Sequence, residues 1–326
     1  MKQYRLNGRI ALGIFAGASI MMASCSSGSS SSHGKSAAAT QAALGANDGK
    51  NAVVTPKADG SGPALAQTLA APAIHNPLRV AVAPDGTVVV SYPAGNAVHR
   101  FSSALAYLGS VSVPSPLGVA VDNGGRLIVG SAKLGLVAVD AATKTQTPLC
   151  TGGGAFSSKP NDIAIEPASG VMWVSDSGNN RVVFCDANGA FIGSVGMQGS
   201  GNAQFNFPMG IAYDAANRLV VVVDSGNARV QVLDNNGNYI RQFTTTGLTR
   251  PQGVALSGNR VFVTDVYQNR VAEFTLEGVF VRWFGTPGDQ AGELLLPSDA
   301  AVIGSQLLVA SFESKRLEVY NLQSGQ

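Results

Sequence analysis

One unit recurs six times along the chain from residue 76 onward, and this periodicity narrows the folds open to it. Each copy opens with a proline directly before a short apolar run, at intervals of 39, 44, 48, 43 and 46 residues. The opening prolines are Pro77, Pro116, Pro160, Pro208, Pro251 and Pro297. Repeats of this length are typical of architectures whose units bury their faces against their neighbours.

Each copy except the last contains four short apolar runs separated by turns of Gly, Asn and Asp. In the fourth copy the expected strands are 210–213, 219–223, 229–233 and 239–243. Such runs are typical of successive antiparallel hairpins, and no copy has a ten-residue run of helical period. One small sheet cannot bury both its faces, but six arranged radially can. The sequence therefore predicts an all-β, six-bladed β-propeller with four-stranded antiparallel blades.

The sixth copy ends at Tyr320, after its third strand. A missing outer strand would leave an unpaired sheet edge. We expect residues 65–71 (LAQTLAA) to supply this strand and to close the ring non-covalently. The propeller domain is then predicted to extend over residues 63–326.

Three copies share a longer motif. It begins with Pro-x-Gly-Ile/Val-Ala-x-Asp, has a second strand ending in Asp-Ser-Gly-Asn-x-Arg-Val, and finishes with an aromatic fourth strand. Residues 160–196, 208–243 and 251–285 match it, whereas the first two copies lack its Asp and Arg. The motif resembles that of NHL-repeat proteins, and the resemblance covers residues 76–321. It implies the same six-bladed propeller.

An Asp and an Arg stand five positions apart around the turn between the second and third strands of these copies. The pairs are Asp176 with Arg181, Asp224 with Arg229, and Asp265 with Arg270. Polar side chains in such a turn can satisfy its amides, and a catalytic group has no reason to recur in every blade. We therefore interpret the pairs as structural.

Residues 1–24 are typical of a bacterial export signal. Lys2, Arg5 and Arg9 precede an apolar run, residues 10–22, that is short for a membrane-spanning helix. The sequence MASC places small residues directly before Cys25. This resembles the lipobox of bacterial lipoproteins and implies that Cys25 carries the lipid. A general signal peptide and an uncleaved anchor are the alternatives.

Three acyl chains on Cys25 would hold the protein firmly on a membrane, since one chain alone binds only marginally. Ser26 resembles the residue that directs lipoproteins to the outer membrane in diderm bacteria. The protein is therefore expected on that membrane, facing the periplasm or the cell surface. Residues 25–62 are rich in Ser, Ala and Gly without periodicity, which predicts a flexible tether.

Cys150 and Cys185 are the remaining cysteines. An exported protein permits a disulfide between them across neighbouring blades. Cys185 also aligns with apolar residues of the other copies, which favours a small buried thiol instead. The sequence leaves both interpretations open.

The residue two positions after each opening proline begins the innermost strand, where six blades converge. These residues are Arg79, Gly118, Asp162, Gly210, Gly253 and Asp299. Asp162 and Asp299 belong to opposite blades and are expected to face each other across the channel mouth. The candidate binding residues there are Arg79, Asn161, Asp162, Gln252, Ser298 and Asp299.

Two roles are open for Asp162 and Asp299. A resemblance to lactonase-type propellers, which use one acid and several Asn on their inner strands, implies calcium binding, for which oxygen ligands are suited. Asp at this position of the repeat also serves in turns or binds water. The second role is the structural alternative to a metal site.

The histidines argue against several enzymes of similar architecture. Amidating lyases use several His residues to bind zinc, and streptogramin lyases use a catalytic His, whereas the second to sixth copies contain none. His33 lies in the tether, and His99 is expected at the surface of the first blade. We assign no catalytic residue, and the sequence favours a protein that is not an enzyme.

The sequence favours an envelope lipoprotein whose propeller face binds a protein, a peptide or a glycan. Tyr92 and Tyr267, in turns between second and third strands, are candidate contacts. The chain beyond residue 24 has a net charge of −1, which disfavours nucleic acid, and we expect a monomer without a cofactor. The alternative is a calcium-dependent lactonase or hydrolase with its metal near Asp162 and Asp299.

Overall fold

Six four-stranded antiparallel sheets surround one axis in the computed structural model. It describes residues 63–69, 74–140, 142–152, 156 and 159–322. The innermost strands of neighbouring sheets contact each other around the ring, and the sixth contacts the first. The predicted six-bladed propeller is confirmed. Cys25, the signal segment 1–24 and the tether 25–62 lie outside the described residues.

The first three blades follow the repeat in sequence. The N-terminal strand is β1 (Ala64–Leu69). Blade 1 contains β2 (Val80–Val82), β3 (Val88–Tyr92), β4 (Ala97–Phe101) and β5 (Tyr107–Ser112). Blade 2 contains β6 (Pro116–Val121), β7 (Leu127–Ser131), β8 (Gly135–Val139) and β9 (Gln146–Pro148). Blade 3 contains β10 (Pro160–Ile165), β11 (Met172–Asp176), β12 (Arg181–Cys185) and β13 (Phe191–Val195).

The last three blades have longer inner strands. Blade 4 contains β14 (Pro208–Asp214), β15 (Leu219–Asp224), β16 (Arg229–Asp234) and β17 (Tyr239–Phe243). Blade 5 contains β18 (Pro251–Ser257), β19 (Arg260–Asp265), β20 (Arg270–Thr275) and β21 (Phe280–Phe284). The short strands β22 (Thr286–Pro287) and β23 (Glu293–Leu294) pair in parallel in the next connection. Blade 6 contains β24 (Pro297–Ile303), β25 (Gln306–Ser311) and β26 (Arg316–Asn321).

Helical structure is minimal in the described part of the chain. It consists of two single turns of 3-10 helix, Pro93–Gly95 and Ser225–Asn227. Neither these turns nor any other described segment forms a helix of the length and hydropathy needed to cross a membrane.

Strand β1 closes the ring as the fourth strand of blade 6. It pairs antiparallel with β26, from Ala64 opposite Asn321 to Leu69 opposite Leu317. This confirms the expected N-terminal closure, although residues 70 and 71 lie outside the described residues. The Thr68 hydroxyl donates a hydrogen bond to the Glu318 carboxylate over 2.6 Å, so a side-chain contact supplements the backbone ladder.

The hydrophobic core is distributed between neighbouring blades rather than gathered at one centre. Val221, Val223 and Val232 of blade 4 pack with Val263 and Phe274 of blade 5 in one of six such clusters. Each sheet therefore buries one face against the preceding blade and the other against the following blade, which is the physical reason that the ring is stable.

Cys150 and Cys185 form a disulfide in which the two Cα atoms are 5.7 Å apart. Cys150 follows β9 of blade 2 and Cys185 ends β12 of blade 3. The backbone N–H of Cys150 donates to the carbonyl of Gly189 over 2.6 Å. The disulfide therefore links two consecutive blades at a point where their backbones already meet.

The repeated Asp and Arg act mostly as expected. Arg229 Nε donates to Asp224 over 2.8 Å, and Arg181 Nε donates to Asp176 over 2.9 Å. Asp265 differs, because its carboxylate accepts the backbone N–H groups of Thr249 and Arg250 instead. In each case the acid fixes a turn or an inter-blade connection, which confirms the structural interpretation.

Candidate functional site

The propeller has two faces that differ in their loops. The connection face carries the inter-blade connections and the turns between second and third strands, and the hairpin face carries the other turns. Each innermost strand begins at the connection face and ends at the hairpin face. This polarity determines where each candidate residue lies.

Side chains are tightly restricted where the six innermost strands begin. A Cβ atom at Gly118 would lie 2.8 Å from the Cα of Asp162, and one at Gly253 would lie 2.4 Å from the Cα of Asp299. Only glycine allows the backbones to approach this closely. The remaining space is taken by the side chains of Arg79, Asp162 and Asp299, which are 1%, 6% and 1% exposed.

The guanidinium of Arg79 crosses the axis and joins four blades. Its Nε donates to the carbonyl of Asn161 over 3.0 Å, and its Nη1 donates to the carbonyls of Ser298 over 3.1 Å and Gln252 over 3.4 Å. Nη1 also lies 3.4 Å from Asp299 Oδ1. Nη2 is buried and has no hydrogen-bond partner among the described residues. Arg79 therefore plugs the connection-face end of the channel.

The two carboxylates bind the backbone of neighbouring blades. Asp162 accepts the N–H groups of Ile163 and Ile211, each over 3.0 Å, through different oxygens. Asp299 Oδ2 accepts the N–H of Val80 over 2.9 Å. Each Asp therefore ties its own inner strand to the axis of the ring.

The buried cluster of Arg79, Asp162 and Asp299 favours a net charge of zero. Burial raises the pKa of Asp299 to about 8, with a further increase from the charge of Asp162, while Arg79 opposes both effects. Burial also raises the pKa of Asp162. One guanidinium neutralises one carboxylate, so the second carboxyl group retains a proton at neutral pH.

The raised pKa of Asp299 predicts a pH dependence of stability. A carboxyl group whose pKa is higher in the folded state makes folding more favourable below its unfolded pKa, and this contribution is lost as the pH rises to about 8. We expect the melting temperature of the wild type to fall between pH 5 and pH 9 more than that of Asp299→Asn. Calorimetry at both pH values measures this difference. Equal falls in the two proteins would contradict the prediction, whatever the absolute stability of the variant.

The remaining sequence candidates at the axis are buried rather than open to solvent. Asn161, Gln252 and Ser298 are 6%, 2% and 2% exposed. Asn161 Nδ2 donates to Ser177 Oγ over 2.7 Å, and Ser298 Oγ donates to the carbonyl of Pro77 over 2.8 Å. These residues surround Arg79, and a ligand role for them stays a prediction.

An aromatic and two cationic residues meet on the connection face, just before three successive opening prolines. Lys159 Nζ lies 5.3 Å and Arg250 Cζ 5.9 Å from the centre of the Phe207 ring, within cation–π range. In the described part of the chain neither cation has an acid within 4 Å. The Phe207 N–H donates to Asn180 Oδ1 over 2.7 Å, which fixes its backbone at a φ of 57°.

Sequence reasoning missed this cationic aromatic cluster of Lys159, Phe207 and Arg250. The signal was present, because all three residues directly precede an opening proline. A comparison of that position among the copies would have shown a Lys, a Phe and an Arg in consecutive blades.

The two tyrosine residues predicted as partner contacts differ in solvent exposure. Tyr267 is 72% exposed in the turn after β19. Tyr92 is half-buried, and its ring lies between His75 at 5.6 Å and His99 at 5.9 Å. The surface position expected for His99 is wrong, because only 9% of it is exposed. Tyr92 covers it on one side and Tyr107 lies 5.8 Å away.

Comparison with known proteins identifies the family. Residues 80–302 match the model of the SMP-30/Gluconolactonase/LRE-like region. The chain belongs to this family. Comparison with curated protein sequences finds no significant match.

Solved structures similar to this SMP-30/gluconolactonase-like propeller include a gluconolactonase from Xanthomonas campestris. That match has a TM-score of 0.62 and 15% identity, and covers 76% of this chain and 87% of the other. An inactive virginiamycin B lyase from Staphylococcus aureus with quinupristin matches with a TM-score of 0.58 and 13% identity, over 77% and 83%. A chain of a nidogen/laminin complex matches with a TM-score of 0.57 and 18% identity, over 65% and 80%. At these identities the likeness shows the fold alone.

The axis of this SMP-30/gluconolactonase-like chain does not fit the calcium site that the sequence left open as an alternative. All four oxygens of Asp162 and Asp299 already accept N–H groups of the chain. The guanidinium of Arg79 lies beside them and would repel a divalent cation. The described residues also contain no group of three or more His, Cys, Asp or Glu side chains that could hold a metal ion. Arg79 supplies the positive charge itself.

Proposed function

We propose that this protein is an envelope lipoprotein, anchored through Cys25, whose propeller is a binding module for a protein, a peptide or a glycan. The lipobox resemblance and the tether sequence support the anchor. The NHL-like motif of blades 3 to 5 supports a repeated structural scaffold, since its Asp residues fix turns and inter-blade connections. Export on the outer membrane, facing the periplasm or the cell surface, belongs to the same proposal.

The observation that carries the proposal is the cationic aromatic cluster on the connection face. Phe207 offers apolar surface, and Lys159 and Arg250 offer charges that have no acid of the described chain within 4 Å. Tyr267 belongs to the same side of the ring, since the N–H of Val266 donates to the carbonyl of Arg250 over 3.2 Å. Aromatic residues and Arg are the types enriched at binding hot spots. Tyr267 is exposed, and Lys159, Phe207 and Arg250 are half-buried. A partner with acidic groups beside an apolar patch is complementary to this surface.

A calcium-dependent lactonase is the second candidate, because the chain belongs to the SMP-30/gluconolactonase-like family and shares the fold of a gluconolactonase. One fold supports unrelated functions, so the family does not decide the chemistry of this site. The guanidinium of Arg79 beside Asp162 and Asp299, and the small number of oxygen ligands at the axis, argue against it. Stoichiometric calcium that is lost in Asp162→Ala would favour the lactonase.

Charge reversal at the cluster is the direct test. We expect Lys159→Glu with Arg250→Glu to weaken capture of the partner from solubilised host envelope at least tenfold, because two attractive charges become repulsive. Quantitative mass spectrometry of material retained on the immobilised protein measures this.

The matched control is Lys144→Glu with Arg218→Glu, an equal charge change on the hairpin face. We expect it to retain capture. Equal retention by both double variants would remove the connection face from the proposal, and equal loss would point to net charge rather than to a surface.

A further inference from the structure

A cavity of about 280 Å³ lies on the axis between the innermost strands. Val82, Ile165, Leu256 and Val302 form its aliphatic wall near the strand ends, together with Tyr213, the one aromatic residue among the described lining residues. These five side chains are only half-buried, in contrast to the buried residues nearer the closed end, so the cavity opens on the hairpin face. A concave apolar site with polar groups at one end is typical of small-molecule binding.

The closed end of the cavity contains two carboxyl groups and one cationic side chain. Asp162 and Asp299 line it, and Arg79 Nη1 lies 3.4 Å from Asp299 Oδ1. When both carboxyl groups are ionised, the three side chains carry a net charge of −1. An uncompensated charge in apolar surroundings attracts a second cation strongly. A proton takes that place when no other cation is bound, in agreement with the raised pKa of both carboxyl groups.

The cavity also opens on an acidic face. Glu166 marks its rim, because Glu166 Oε1 accepts the hydroxyl of Tyr213 over 2.9 Å. Four basic residues lie in or directly beside the turns of this face, Arg126, Lys144, Arg218 and Arg260. Eight acidic residues lie there, Asp85, Asp122, Asp140, Glu166, Asp186, Asp214, Asp234 and Glu277. One dominant sign of charge around a low-dielectric cleft raises the local concentration of oppositely charged ligands.

We propose that the axial cavity binds a primary ammonium group carried on a short alkyl or aryl body. The ammonium donates to Asp162 and Asp299, whose oxygens each keep a second lone pair, and the apolar body contacts the aliphatic wall. An ammonium needs three acceptors, whereas calcium needs six or more oxygen ligands that an aliphatic wall does not supply. This site lies on the opposite side of the ring from the cationic aromatic cluster and goes beyond the proposed function.

Titration calorimetry of the whole exported protein with hexylamine, and with hexan-1-ol as the uncharged probe of the same length, tests the proposal. We expect hexylamine to bind at least tenfold more tightly at pH 7, because only the ammonium interacts with the carboxylates. Binding displaces the proton of the pair, so the measured heat should change with the ionisation enthalpy of the buffer. The affinity for hexylamine should rise between pH 6 and pH 9, because Asp299 loses its proton over this range. The charged and titratable groups that face Asp299 are Arg79 and Asp162 beside it, and Glu166 and Tyr213 at the rim of the cavity.

Three variants test separately the carboxyl groups at the closed end of the cavity, its apolar volume and the charge of the hairpin face. Asp162→Asn should weaken the binding of hexylamine at least tenfold. Ala301→Phe should have the same effect, because the larger side chain fills the apolar part of the cavity and leaves Asp162 and Asp299 in place. Asp85→Asn removes one of the eight acids of the same face, away from the cavity, and should change the affinity by less than about twofold. Equal affinity for hexan-1-ol, or unchanged binding in Ala301→Phe, would overturn the proposal. Displacement of hexylamine by equimolar calcium would assign the site to a metal instead.

Discussion

Deletion of residues 63–69 is expected to lower the melting temperature by about 10 °C or more. These residues contain β1, which pairs with β26 over five positions and completes the sixth blade. Their loss exposes the ladder edge of β26 and opens the junction between the first and last blades. It also leaves the carboxylate of Glu318, with no exposed surface, without the Thr68 hydroxyl. Calorimetry of the full chain with and without these residues gives the change.

Deletion of residues 50–56, an equal length of the predicted tether, is the control and should leave the melting temperature within about 1 °C. A smaller lesion at the closure is Thr68→Val, which removes one hydrogen bond to Glu318 and should destabilise by about 1 kcal/mol. An unchanged melting temperature after deletion of 63–69 would show that the first and sixth blades hold together without β1.

The features that recur in every copy could be predicted from the sequence, because six copies of one pattern give independent evidence for the same strands and turns. The fourth copy gave strands at 210–213 and 219–223, and the structure has Pro208–Asp214 and Leu219–Asp224. The absent fourth strand of the last copy led to β1 by simple counting, since a ring needs each sheet to be complete. Repetition also placed Asp162 and Asp299 at one level of the axis.

Features that occur in only one copy were harder to predict from the sequence. The sequence placed Arg79 at the axis but gave no sign that its side chain would cross the channel, because no other copy has a long residue there to compare. Its path depends on space left by Gly118 and Gly253, which is a property of six blades together. His99 was misplaced for a related reason. The third strand of blade 1 is covered on both faces, so the exposed alternation expected for a half-buried strand does not apply.

Replacement of Arg79 by Met is expected to destabilise the fold by roughly 3–5 kcal/mol. Met has a similar length but neither the charge nor the donors, so the carbonyls of Asn161 and Ser298 lose their hydrogen bonds. Asp162 and Asp299 then share the axis without a cation, and removal of one partner from a buried ion pair leaves an uncompensated charge. Chemical denaturation measures the loss as a lower midpoint.

Two further variants distinguish charge from hydrogen bonding at this position. Arg79→Lys keeps the charge but lacks the planar fork, so it should recover only part of the stability. Adding Asp299→Asn to Arg79→Met removes one of the two acids and should cost less than the sum of the single changes, which a double-mutant cycle quantifies. Arg126→Met, at a half-exposed ion pair with Asp122, is the control and should change stability by less than about 1 kcal/mol.

The same comparison decides what the guanidinium does at the axis. If the six inner strands depend on the positive charge of Arg79, the Met variant should be most unstable at high pH, where both carboxyl groups ionise. At pH 5 a proton can replace the lost charge, so the difference from the wild type should shrink. A penalty that is equal at pH 5 and pH 9 would mean that Arg79 serves through packing and hydrogen bonds alone, and that the axis does not need a cation.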